Sequence, residues 1–287
     1  MDVREPQQNE HDRERKRAVK EGDEEDVVAS SSRHQQYDPW IPLECSPSVF
    51  AKLSAGLGAT GCKFEDVLSL DEDYVQSQCP SSFAFILLYP TEPHVEAFRR
   101  QRRIPQQQEE DGVNKNKGVF FLRQLNGGAC GTIAVLHALL NNRQHIKIEN
   151  NSPLGEFLAT MEMLDDDDDK DALMKRSRCL LESQGIAQAH FHASRNDSDE
   201  TNHGKDDPSR IAGQRQGRHF ITFTPSASGQ CLLELDGRWP KPIWRRPIPP
   251  NTTTFVATAM KEIQLIVATL EDPRLQLSVS VVAVMPD

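Results

Sequence analysis

Six cysteines are present in this chain of 287 residues, and Cys130 stands where a thiol could react. It follows the apolar stretch Phe120-Phe121-Leu122 and the glycine pair Gly127-Gly128. It opens a run to Asn142 with no proline and only one glycine, Gly131. The pattern predicts a short strand, a turn and a helix, with Cys130 in the first helical turn. Apolar residues lie all round that helix, so it should be buried. Unpaired N–H groups and the positive dipole end favour a thiolate at such a place. Gln124, six residues upstream, can point its side-chain amide at the same spot as an oxyanion donor. A cysteine on a strand–turn–helix corner with an amide beside it suggests a cysteine hydrolase. From position alone, a buried structural cysteine fits equally well.

A base for that thiol is offered further along. His219 to Thr224 and Cys231 to Asp236 both alternate, with a turn over Pro225 to Gln230, so a hairpin is expected. Pairing Thr224 with Cys231 sets His219 opposite Asp236 on one face. The carboxylate would then hold one ring nitrogen and leave the other for a thiol. A structural hydrogen bond between the two is the plain alternative. His137 lies two turns along the cysteine helix, too far from Cys130 to serve it, and is expected to be packed or hydrogen-bonded. His190 and His192 fall in a polar helix end and His203 in a loop. No ligand spacing suggests a metal, and no cofactor motif is present.

Several elements must position these residues. Ser46 or Ser48 can cap a helix carrying Val49, Phe50, Leu53 and Leu57 on one stripe. Phe64 to Leu70 is a short amphipathic piece. Phe83 to Tyr89 is a continuous apolar run that fits a central buried strand. A basic helix runs from His94 to about Arg103, and residues 104–117 read as a loop. Further helices are expected over Leu154 to Leu164, Asp171 to about Ser194, and Thr252 to Leu270. A final strand covers Leu275 to Val284. Asp165 to Asp169 reads as a solvated acidic loop. Residues 195–217 form a long polar stretch without apolar pattern, the kind that is functional or disordered.

Composition narrows the class. Residues 1–36 are polar and charge-mixed and read as a disordered tail, leaving residues 37–287 as the ordered domain. The net charge of −10 argues against a nucleic-acid partner and suits a basic protein or peptide. No apolar run is long enough to span a membrane, and the N-terminus lacks a signal-peptide core, so a cytosolic chain with free thiols is expected. The cluster Arg13 to Arg17 is at most a weak nuclear signal.

Taken together, these residues resemble the ubiquitin carboxyl-terminal hydrolase family of cysteine peptidases, in its short single-domain branch. The resemblance rests on Gln124, then Ala129-Cys130-Gly131-Thr132-Ile133 with His137-Ala138, then His219-Phe220-Ile221, then Glu234-Leu235-Asp236-Gly237-Arg238 with Pro240 and Pro242. It implies a papain-like α+β fold, with a central, mainly antiparallel sheet flanked by helices and a knotted backbone. It implies Cys130 as nucleophile, His219 as general base, Asp236 as its orienter and Gln124 as oxyanion donor. It also implies a crossover loop over residues 195–217 and ubiquitin as the partner of a monomeric enzyme. A catalytically weak ubiquitin-binding module and a protease for another ubiquitin-like modifier remain as alternatives. The sequence departs from the family pattern at Gly128, where asparagine is usual, and in a hairpin about two residues longer than usual.

Overall fold

The computed structural model describes residues 39–102, 118–163, 171–195, 217–249 and 254–287. The expected tail (1–36), the acidic run (165–169) and all but the ends of the expected crossover loop (195–217) lie outside the described residues.

The elements run in the order α1 (Pro47–Gly56), β1 (Ala59–Thr60), β2 (Cys62–Asp66), α2 (Glu72–Gln78), β3 (Ala84–Pro90), α3 (Pro93–Gln101), α4 (Cys130–Leu140), β4 (Lys147–Ile148), α5 (Pro153–Met163), α6 (Ala172–Glu182), α7 (Gln184–Ser194), β5 (Arg218–Pro225), β6 (Cys231–Leu235), β7 (Ile243–Pro247), α8 (Phe255–Val267), α9 (Pro273–Gln276) and β8 (Ser280–Pro286). Six strands form one sheet in the order β2-β8-β3-β5-β6-β7, every pair antiparallel. β1 and β4 make a separate two-stranded ladder.

Helices cover both faces of the sheet, so its central strand must be apolar on both. All seven residues of β3 are buried. Ala84, Ile86 and Leu88 join Phe50 and Leu53 of α1, Val135 and Leu139 of α4, and Ile186 of α7 in one core. Phe85, Leu87 and Tyr89 join Met260, Ile263 and Ile266 of α8 in the other. Successive side chains of a strand point to opposite faces, and the two cores divide along that alternation. β5 is likewise buried except at its ends, Arg218 and Pro225, with α4 against one face and α8 against the other. Thr222 Oγ1 donates to the Ala134 carbonyl at 2.7 Å, and Asn142 Nδ2 donates to Thr224 Oγ1 at 2.8 Å, tying the strand to that helix.

Three expectations are corrected. Phe120 to Leu122 joins no ladder. Side chains satisfy its backbone instead: Phe120 N–H donates to Asn141 Oδ1, Leu122 N–H to His137 Nε2 and Arg123 N–H to Ser177 Oγ, at 2.8–3.0 Å. The helix expected over Asp171 to Ser194 is two helices, broken at Ser183, whose hydroxyl accepts from Ile186 N–H and caps α7. The final strand starts later than expected, because Asp272 caps α9 ahead of it. By contrast, Ser46 caps α1 as the sequence suggested, and the Cys130 helix is buried over all eleven residues.

Candidate active site

Cys130 is the first residue of α4, after a single 3-10 turn over Gly127–Ala129. Asn126 opens that turn, its Oδ1 accepting from Gly128 N–H at 2.8 Å. The turn sits directly under the segment Trp40–Leu43. A Cβ on Gly128 would lie 1.7 Å from the Trp40 carbonyl oxygen, so glycine is required here for close approach of two backbones. An asparagine at this position would displace Trp40. The same segment is held by His190, whose Nε2 lies 2.7 Å from the Ile41 carbonyl and whose Nδ1 lies 2.7 Å from Thr132 Oγ1. A carbonyl only accepts, so Nε2 carries the proton and Nδ1 accepts from the threonine hydroxyl. His190 therefore belongs to a buried strut between the N-terminal segment and the cysteine helix, not to a polar helix end as the sequence suggested.

Burial raises the Cys130 thiol above its ordinary value, opposed by the backbone N–H groups of Phe220, Gly131 and Cys130 itself. The sulfur thus lies beside Phe220, the residue after His219. Gln124 flanks the same turn, with Nε2 donating to the Gly127 carbonyl at 3.2 Å. Its second amide N–H remains for a ligand, and Oε1 is buried without a hydrogen bond. Gln124 N–H donates to the Gly237 carbonyl at 2.8 Å, which ties the amide to the loop after Asp236.

His219 and Asp236 meet as expected, but in a different register. Thr224 pairs with Leu233 rather than Cys231, and β6 ends at Leu235. The slip is two residues, an even number, so both side chains stay on the expected face. His219 Nε2 donates to Asp236 Oδ1 at 2.6 Å. That bond leaves Nδ1 as the basic nitrogen. Burial lowers the histidine's affinity for a proton, the Asp236 charge and hydrogen bond oppose this, and the net shift is downward. Burial would raise the Asp236 carboxyl, yet His219 and Arg99 outweigh it and hold it well below the usual carboxylate range. At neutral pH the pair is an imidazole on a carboxylate. Among the described residues no hydrogen bond joins Cys130 to His219, and burial favours the neutral form of the thiol.

These four residues thus gather where the end of the sheet meets the start of α4: a thiol, a carboxylate-held imidazole and an amide. The profile of "Ubiquitin carboxyl-terminal hydrolase, family 1" matches residues 40–268, which covers every one of them. The chain belongs to that family. It is a cysteine-type deubiquitinating hydrolase. The ubiquitin carboxyl-terminal hydrolase isozyme L1 of Rattus norvegicus is 32% identical over 203 residues, spanning 70% of this chain and 80% of the relative. The isozyme L1 of Homo sapiens is 31% identical over the same length. Among solved structures, the catalytic domain of Trichinella spiralis UCH37 bound to ubiquitin vinyl methyl ester superposes with a TM-score of 0.59. It is 21% identical and covers 86% of this chain and 96% of that one. This likeness establishes the hydrolase's papain-like fold.

The sequence reading of this hydrolase missed a cluster behind Asp236. Arg99, on α3, is fully buried and donates from Nη2 to Asp236 Oδ2 at 2.8 Å. It also bonds Glu234, Glu96 at 3.0 Å, and the Tyr89 hydroxyl. Arg245 Nε donates to the far oxygen of Glu234 at 2.7 Å. The signal is present as spacing: Glu96 and Arg99 are three apart on a helix, and Glu234 and Asp236 are two apart at and just past the end of β6. Among the described residues no group of metal-binding side chains gathers.

Proposed function

We propose that Cys130, His219, Asp236 and Gln124 carry the hydrolysis of bonds to the C-terminal glycine of ubiquitin. The observation that supports this most is the division of labour on the imidazole. Asp236 holds Nε2 at 2.6 Å, which fixes the tautomer in which Nδ1 is free to take the Cys130 proton. The sulfur attacks the glycine carbonyl as Nδ1 receives that proton. The Cys130 N–H at the start of α4 and the spare N–H of Gln124 hold the oxyanion, a contribution of about 3 kcal/mol per donor. His219 then protonates the leaving amine or thiol and activates water to free the acyl-enzyme. An imidazole kept neutral by burial is a competent base at pH 7. No helix in the described residues is long and apolar enough to cross a membrane, in keeping with an enzyme of the cytosol or nucleus.

Hydrolysis of ubiquitin carrying a C-terminal fluorogenic amide tests the assignment, wild type beside Cys130→Ser. Release by wild type that the substitution abolishes is expected. Undiminished release by the variant would remove Cys130 from its role. A folded wild type with no release would sink the whole reading.

A further inference from the structure

Asp236 can orient His219 only if its own carboxylate cannot turn, and its two oxygens are held from different directions. Oδ1 accepts from His219 Nε2 at 2.6 Å and from the backbone N–H of Arg238 at 2.9 Å. Oδ2 accepts from Arg99 Nη2 at 2.8 Å. The Arg238 guanidinium lies further off, with Nε 3.8 Å from Oδ1. Arg99 is therefore the donor that fills the second oxygen.

Arg99 is itself fixed on every side. Its Nη1 donates to Glu96 Oε1 at 3.0 Å and to the Tyr89 hydroxyl, which in turn donates to Glu96 Oε1 at 2.6 Å. Its Nε donates to Glu234 Oε1 at 3.1 Å. The guanidinium stacks 4.9 Å from the Tyr89 ring centroid. Side chains of Arg99, Glu234 and Asp236 are all fully shielded from solvent. Only a planar fork can reach Glu234, Asp236 and Tyr89 together; an ammonium on a flexible stem cannot.

We propose that Arg99 is a positioning residue of the triad, clamping Asp236 Oδ2 so that Oδ1 stays aimed at His219. This rests on the roles proposed above for His219 and Asp236. Its positive charge has a second effect. Opposite the Asp236 carboxylate it offsets the pull that would otherwise protonate His219 in the resting enzyme. Loss of the charge should raise the pH at which His219 becomes a base. A purely structural ion-pair cluster would affect stability and leave the catalytic pH profile in place.

The experiment compares wild type, Arg99→Lys and Arg99→Gln on the same fluorogenic ubiquitin amide, each rate divided by the folded fraction from circular dichroism. Arg99→Lys keeps the charge and loses the fork. Its kcat is expected to fall about 10- to 100-fold, with KM within about twofold of wild type. Arg99→Gln is expected to fall further and to move the acid limb of kcat/KM to higher pH by about one unit. Folded variants with wild-type kcat and a superimposable acid limb would overturn the proposal. If neither folds, Tyr89→Phe loosens Arg99 without removing it, and an unchanged kcat there would overturn it equally. Inactive wild type would instead refute the roles on which the proposal rests.

Discussion

Around Cys130 the buried polar contacts are neutral: Thr132 to His190, His190 to the Ile41 carbonyl, His137 to Leu122 N–H. Around Asp236 they are ionic, with Arg99, Arg238 and Arg245 interleaved among Glu96, Glu234 and Asp236. Arg99, Arg245, Glu234 and Asp236 are as buried as Cys130, Thr132, His137 and His190, while Glu96 and Arg238 at the cluster's edge are partly exposed, so the difference between the two interiors is not one of exposure. Neutral hydrogen bonds and backbone contact fix where the proposed nucleophile sits, and the charge of Arg238 acts on its thiol less than burial does. A buried ionic cluster costs desolvation on every member, and it is retained here where a protonation state has to be set. The proposed nucleophile is placed mainly by shape and the proposed base mainly by charge.

Asp236→Asn breaks the charged side most directly. It preserves shape, removes the ionic acceptor and frees the imidazole to adopt the wrong tautomer. By analogy with the serine-protease triad, kcat should fall about a thousandfold or more. Steady-state hydrolysis of the fluorogenic amide measures this, and a loss of less than tenfold would mean that the tautomer is fixed by something else.

Gly128→Asn breaks the shape side. It introduces a side-chain amide two residues before Cys130, but its Cβ meets the Trp40 carbonyl. The expected result is destabilisation of about 3 kcal/mol, as in overpacked interiors, with no gain in rate. Urea unfolding reads the stability; a variant as stable as wild type and faster would show that the Trp40 segment yields freely.

A pH series sharpens the comparison at His137. Burial lowers its pKa from 6.5 to about 3, and its Nε2 must stay unprotonated to accept from Leu122 N–H. The unfolded chain binds this proton below pH 6.5 and the folded chain does not, so its contribution is complete above pH 6.5 and declines as pH falls toward 3. Between pH 7 and 5 the loss should be about 2 kcal/mol. His137→Gln should be less stable at pH 7 yet lose less on acidification. Parallel pH curves for the two proteins would place the acid sensitivity elsewhere.

Much of this was legible before any coordinates. Strong periodicity and caps locate α1, β3 and α4, and the proposed triad residues carry a recognisable order along the chain. The hairpin register was misjudged by two residues, because loop length and turn type set the register and the face pattern is blind to even slips. Phe120 to Leu122 looked like a strand because extended backbone is apolar in either case; only the side chains of Asn141, His137 and Ser177 show where its hydrogen bonds go. Arg99 reads as one cation in a basic helix, since a pair with Glu96 three residues earlier suits a solvated helix face equally well. The acceptors that bury it, Glu234 and Asp236, lie 135 and 137 residues away.

The burial of every residue of α4 has a consequence for how the enzyme comes into being. A helix with no wet face has no stable form on its own, so it must wait for what covers it. Its cover includes β5, which is made some eighty residues later: Thr222 Oγ1 donates to the Ala134 carbonyl, and Phe220 packs in the same core as Cys130. A ribosome-bound or half-degraded chain therefore carries the cysteine but not a poised one. Proteolytic capacity arrives all at once, after the C-terminal strands have been added.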